Sequence, residues 1–139
     1  MKATTDGDGR LSVPARILLA EDDPELRSLL AEALRRDGHL VMEVSNGVAL
    51  DDVIRELAAQ SPVHADEIVI SDVRMPGRTG LSVLQSHRGC PWCPRFIFMT
   101  GFGDDELRAE AVDLGAAAVI EKPFEFDELR GILEDVTAH

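Results

Sequence analysis

Ile17-Leu-Leu-Ala-Glu-Asp-Asp-Pro-Glu-Leu-Arg-Ser-Leu-Leu-Ala-Glu-Ala-Leu-Arg-Arg-Asp-Gly38 is one strand, one turn and one helix in sequence. The opening Ile17-Leu-Leu-Ala20 is an unbroken apolar run, as expected of a parallel strand covered on both faces. Asp23-Pro24 then reads as a helix N-cap followed by proline at the first helical position. Leu26, Leu29, Leu30, Ala33 and Leu34 recur at i, i+3, i+4, i+7 and i+8, one face of a helix, and Gly38 falls where a left-handed glycine stops it.

The same unit repeats down the chain. Further apolar runs lie at Leu40-Val-Met42 with Val44, at Ile68-Val-Ile70, at Phe96-Ile-Phe-Met99 and at Ala116 to Ile120. Helical spacing returns at Leu50, Val53, Ile54, Leu57 and Ala58, at Leu107, Ala111 and Leu114 before Gly115, and at Leu129, Ile132, Leu133 and Val136, with a short helix around Leu81 and Leu84. Five such alternations in 139 residues predict a single α/β domain, a doubly wound parallel sheet with helices on both faces. In such a sheet the working site lies beyond the carboxyl ends of the strands.

Composition narrows the function. Twenty-six acids against 14 bases give a net charge of −12, which argues against a nucleic-acid surface, since that needs clustered Lys and Arg to neutralise phosphates. The N-terminal stretch has no apolar core of a signal peptide and no run is long enough to span a bilayer, so a cytoplasmic location is expected. Two cysteines are too few for a secreted disulfide scaffold. Residues 1–13 read as a flexible arm and 14–139 as the domain. Within the arm, Asp6-Gly-Asp-Gly9 is no calcium loop, because with Gly9 as its turn glycine the first ligand and the closing glutamate fall on Thr4 and Ala15.

The residues at the strand ends form a chemically coherent set. Glu21-Asp22-Asp23 ends the first run, Ser71-Asp72 the third, Thr100-Gly101 the fourth and Glu121-Lys122-Pro123 the fifth. Converging carboxylates repel unless a cation holds them, and a few carboxylates with a carbonyl and waters suit Mg²⁺. A lysine supplies a compact charge for a phosphate-like oxyanion, and a threonine hydroxyl can donate to another oxygen. The chain uses Arg for 12 of its 14 basic residues and Lys only at Lys2 and Lys122. The exception stands at a strand end, where a point charge on a flexible stem is wanted.

The motifs Ile17 to Pro24, Ile70-Ser-Asp-Val-Arg-Met-Pro-Gly-Arg-Thr-Gly80, Phe98-Met-Thr-Gly101 and Glu121-Lys-Pro-Phe124 together resemble the receiver domain of bacterial two-component response regulators. The resemblance covers residues from about 16 to 137. It implies a flavodoxin-like sheet of order 2-1-3-4-5, with Asp72 as phosphoacceptor from a phosphohistidine on a histidine kinase or phosphotransfer protein. It further implies Mg²⁺ held by Glu21, Asp22, Asp72 and the Arg74 carbonyl, with Thr100, Gly101 and Lys122 around the phosphoryl group and a cis peptide before Pro123. The output would be a population shift that changes binding to a downstream protein, without turnover of an external substrate. With the chain closing at His139, just after the fifth helix, a stand-alone receiver is expected.

Some residues have plainer uses, and some depart from the family. Asp23 serves as a cap, and Asp104, Asp105 and Glu106 are expected to serve the positive N-terminus of the fourth helix. Val119 stands where receivers often carry the aromatic half of the switch, and the chain has no Tyr; Phe124 and Phe126 have packing roles. Cys90-Pro-Trp-Cys93, with His87 three residues upstream, reads as a plain loop, a redox dithiol or part of a zinc site. It precedes the fourth strand, and a five-residue strand spans about 17 Å, so it is expected at the pole opposite Asp72. Two other functions compete: a redox- or metal-responsive module on Cys90 and Cys93, and an aspartyl-phosphate phosphatase, whose nucleophile would follow the first strand as D-x-D where this chain has Glu-Asp-Asp-Pro.

Overall fold

The computed structural model describes residues 4–5, 11–12, 15–60, 67–90 and 93–137. Its main body alternates β1 (Arg16–Ala20), α1 (Pro24–Arg36), β2 (Leu40–Val44), α2 (Gly47–Gln60), β3 (Glu67–Asp72), α3 (Gly80–His87), β4 (Arg95–Thr100), α4 (Asp105–Asp113), β5 (Ala118–Glu121) and α5 (Phe126–Thr137). The five strands are parallel in the order β2-β1-β3-β4-β5, the doubly wound order that the resemblance implies. Of residues 1–13 the described part is Thr4–Thr5 and Leu11–Ser12, which pair antiparallel. The Asp6 to Gly9 run lies outside the described residues.

Unbroken apolar strands work here because each strand feeds two cores by its period of two. Ile17 and Leu19 of β1, Ile68 and Ile70 of β3, and Ile97 and Met99 of β4 pack with Leu30 and Leu34 of α1 and Leu129 and Leu133 of α5. Their neighbours Leu18, Val69, Phe96 and Phe98 face the other way, onto Leu50 and Ile54 of α2, Leu81 and Leu84 of α3 and Ala111 of α4. β2 is an edge strand, and Leu40 and Met42 remain exposed. The fifth strand is shorter than its apolar run: Gly115 ends α4 at φ +91°, so Ala116 and Ala117 are used in leaving the helix, and Ala117 N–H bonds the Phe96 carbonyl.

Local signals fix where helices begin. Asp23 Oδ1 accepts from the Glu25 and Leu26 amides at 3.0 and 3.4 Å, Asn46 Oδ1 from Ala49 N–H at 2.8 Å, and Thr79 Oγ1 from Ser82 N–H at 3.2 Å. Gly80 opens α3 directly against the end of β3. A Cβ there would stand 2.8 Å from the Asp72 carbonyl oxygen, 2.8 Å from Phe98 Cε1 and 2.7 Å from Ser71 Oγ, so only glycine lets the helix approach the strand end this closely.

Two measurements test these contacts. Gly80→Ala should lower stability by about 1–3 kcal/mol, the usual cost of overpacking, read by urea unfolding; an unchanged midpoint would contradict the packing described. His39 Nδ1 accepts the Ala15 N–H at 3.0 Å, which requires the unprotonated ring, and burial lowers its pKa below the ordinary 6.5 against a smaller opposite pull from Asp37. The unfolded chain therefore takes up this proton first as pH falls, and the stability carried by neutral His39 is lost below about pH 6.5. The melting temperature of wild type should drop more steeply from pH 7 to 5 than that of His39→Gln, and parallel curves would refute the assignment.

Candidate functional site

The carboxyl ends of β1, β3, β4 and β5 carry the site residues, and backbone bonds continue past the strands to hold them in register. Glu21 N–H donates to the Val44 carbonyl, Val73 N–H to Met99 and Lys122 N–H to Thr100, at 3.1, 3.0 and 2.7 Å. Carboxylate oxygens of Glu21, Asp22 and Asp72 consequently lie within 4.8 Å of one another. The Lys122 ammonium joins two of them, donating to Glu21 Oε1 at 2.6 Å and to Asp72 Oδ2 at 2.7 Å. The Lys122–Pro123 peptide is cis.

The three acids differ in setting. Glu21 is 1% exposed, and its second oxygen accepts the Asp23 N–H at 3.2 Å. Burial pushes its carboxyl above the ordinary range, with Lys122 pulling the other way. Asp22 is exposed. Asp72 keeps part of its carboxylate open, while Oδ1 accepts the Arg74 N–H at 3.0 Å. For Lys122, burial works against the charge, but hydrogen bonds to Asp72 and Glu21 outweigh it and raise its pKa. One ammonium serves several carboxylates, so the lysine is held charged while the most buried acid is left short of compensation.

Thr100 is buried, and its hydroxyl donates to the Ile120 carbonyl at 3.4 Å and lies 3.4 Å from the Arg108 guanidinium. Gly101 N–H donates to Asp104 Oδ2 at 2.7 Å, and Asp104 Oδ1 accepts from Arg74 Nε at 2.7 Å. Asp104 stands at the N-cap position of α4, at the positive end of the helix, without a capping hydrogen bond; its carboxylate lies instead between donors belonging to the loops after β3 and β4. Asp105 and Glu106 do stand in the first turn of α4, as expected.

Away from this pole, Asp51 of α2 is buried and faces two guanidinium groups and an imidazole. His87 Nε2 is 2.7 Å away, Arg55 Nε 2.9 Å and Arg78 Nη1 3.0 Å. His87 is thus engaged by Asp51, and among the described residues the group with metal-ligand geometry is Glu21, Asp22 and Asp72, not His87 with the cysteines. Cys90 and Cys93 are free thiols, the first exposed. They precede β4, whose Arg95 pairs with Ile68 while Met99 pairs with Asp72, so they lie at the opposite pole. Val119 packs against the core under α2 to α4, and Phe124 and Phe126 against that under α1 and α5. Beside the acidic pole an apolar groove of about 580 Å³ runs between α1 and the segment after β5, lined by Leu26, Leu29, Ala33, Phe102, Pro123 and Phe124. Phe102 at its mouth is 99% exposed.

Comparisons with known proteins agree with this fold. The profile of the response regulator receiver domain matches residues 17–134. The chain is 36% identical over 135 residues to the transcriptional regulatory protein PdtaR of Mycobacterium tuberculosis strain H37Rv, covering 94% of this chain and 60% of that protein. It is 31% identical over 116 residues to sporulation initiation phosphotransferase F of Bacillus subtilis, covering 83% and 87%. Full-length FixJ from B. japonicum superposes with a TM-score of 0.77 at 31% identity, over 91% of this chain and 59% of that one. The chain therefore spans about 60% of the length of PdtaR. No helix among the described residues is long and apolar enough to cross a membrane.

The charge balance of the pole predicts a stability effect. Lys122→Ala leaves buried Glu21 beside two uncompensated carboxylates, and should cost about 1–3 kcal/mol at pH 7, below the full cost of breaking a buried pair because the lysine is partly solvated. Adding Glu21→Gln to Lys122→Ala should recover part of the loss in urea unfolding. No loss in the single variant would contradict the ion pairing.

Proposed function

The chain belongs to the response regulator receiver domain family, and on that premise we propose that Asp72 is a phosphoacceptor whose acyl phosphate switches the domain between two arrangements. The observation that carries the reading is the Lys122 ammonium placed 2.7 Å from Asp72 and 2.6 Å from Glu21, a cation at the carboxylate that would receive a phosphoryl group.

Phosphoryl transfer asks the protein mainly for positioning and charge neutralisation. An Asp72 carboxylate oxygen attacks the phosphorus of a phosphohistidine or of a small acyl phosphate. The new bond joins that oxygen to phosphorus, and the bond from phosphorus to the donor's nitrogen or oxygen breaks, its electron pair leaving with the donor. The Arg74 N–H on Oδ1 and the Lys122 ammonium on Oδ2 orient the nucleophile. Lys122 then faces the oxygens of the product, Thr100 supplies a hydroxyl after turning from the Ile120 carbonyl, and Gly101 leaves room beside the phosphoryl group.

The donor set fits a divalent cation. Three carboxylates and one ammonium leave two negative charges at the pole, and oxygen ligands of this kind suit Mg²⁺. Glu21, Asp22, Asp72 and the Arg74 carbonyl would hold it, and when bound it supplies neutralisation of the phosphoryl oxygens. A histidine kinase or phosphotransfer protein is the donor, reaching Asp72 in the cytoplasm, and the apolar groove between α1 and the segment after β5 supports docking of a protein there. The output is altered contact with a downstream protein. The domain catalyses only its own phosphorylation and dephosphorylation, and residues 14–139 act as the receiver, preceded by an arm.

Incubation with acetyl phosphate and Mg²⁺ should add one phosphoryl group per chain by intact-mass spectrometry. The addition should disappear in Asp72→Asn and on chelating the metal. Equal addition to Asp72→Asn would overturn the assignment.

A further inference from the structure

Asp104 stands one residue ahead of α4, where an acid ordinarily bonds the free amides of the helix, yet both its oxygens are turned elsewhere. Oδ1 accepts from Arg74 Nε and Oδ2 from Gly101 N–H, each at 2.7 Å, and the residue is only 6% exposed. Arg74 lies two residues after Asp72, and Gly101 directly follows Thr100. One buried carboxylate therefore ties together the two loops that leave β3 and β4. The Gly101 amide first, and Arg74 next, hold the Asp104 carboxyl below the ordinary range, so it is ionised wherever the domain works.

An amide N–H at a loop turn is a donor that phosphoryl oxygens seek, and a phosphoryl group brings close to two negative charges. In the resting structure the Gly101 amide is already taken by Asp104. The neighbouring Thr100 hydroxyl is also turned away, toward the Ile120 carbonyl. Asp104 has an alternative: the unbonded amides at the start of α4 lie within its own turn, and α4 has no side-chain cap. One carboxylate thus has two sets of candidate donors, which is what a two-state switch would need.

We propose that Asp104 is the latch of the resting state: its carboxylate holds Arg74 and the Gly101 amide together, a phosphoryl group on Asp72 competes for that amide, and the freed carboxylate moves to the N-terminus of α4. The inference rests on Asp72 being the phosphoacceptor. Asp104 acts here as a positioning residue, through the loops and not on the reacting atoms. Because the latch opposes the phosphorylated arrangement, weakening it raises the competent fraction and tightens apparent binding of a phosphoryl mimic by that factor.

The test is titration of the ¹⁵N-labelled full chain with beryllofluoride in Mg²⁺, followed at the Gly101 amide, for wild type, Asp104→Asn, Asp104→Ser and Asp105→Asn. Asparagine offers one oxygen to two donors, and serine cannot reach them but can cap α4. Both should bind beryllofluoride about three- to ten-fold more tightly than wild type, with faster Gly101 hydrogen exchange before the mimic is added. Asp105→Asn removes the same charge from the same turn and should bind as wild type does. Equal or weaker binding in the Asp104 variants, or the same tightening in Asp105→Asn, overturns the latch while leaving Asp72 as acceptor. Absence of any response in wild type overturns the acceptor reading and the latch with it. Should Asp104→Asn fail to fold, Asp104→Ser, which keeps a good N-cap, decides.

Discussion

The ammonium of Lys122 holds the acidic pole together. Glu21 and Asp72 come from strands β1 and β3, Lys122 from the end of β5, and their contacts at 2.6 and 2.7 Å cross the sheet between residues 101 and 50 positions apart in sequence. Carboxylates gathered at one pole repel, and a sheet that gathers three acids at the ends of two strands is held there by a cation arriving from a third. The register of the strands, the close approach of Gly80 to the Asp72 carbonyl and the split of each apolar strand between two cores all place those chain ends.

Much of this could be read from residue order alone. The (βα)5 alternation, the caps at Asp23 and Gly38 and the pole that carries the site are consequences of local chemistry, and each is expressed within a few residues. Lys122 was conspicuous because arginine fills every other basic position in the body. The features that escaped depend on partners far away in sequence. Asp51 lies in a helical stretch between Leu50 and Val53 and reads as a solvated acid, yet it is buried against His87, 36 positions on, and against Arg78. Asp104 reads as one of three acids serving the positive N-terminus of the fourth helix. Nothing near it in sequence announces that Arg74, 30 positions earlier, offers a better bond. Two good uses for one carboxylate cannot be ranked without the fold.

The acidity of the chain now has a definite internal part. Glu21, Asp22 and Asp72 gather near Lys122 and leave a charge that a divalent cation matches, and Asp104 binds the flanking loops from behind. A phosphoryl group entering this set changes charge where hydrogen bonds are already shared, so competition for donors, rather than rotation of an aromatic side chain at Val119, is the physical basis offered for switching. Val119 packs into the core beneath α2 to α4 and has no ring to turn.

On this reading Asp72 carries the phosphoryl group as an acyl phosphate. Borohydride reduction of the chain after reaction with acetyl phosphate and Mg²⁺, followed by peptide mass spectrometry, reads the position directly, because an acyl phosphate on aspartate is reduced to homoserine. Homoserine is expected at position 72 alone. Reduction at Asp22 or Glu21, or a phosphorylated chain that borohydride leaves unchanged, would contradict it.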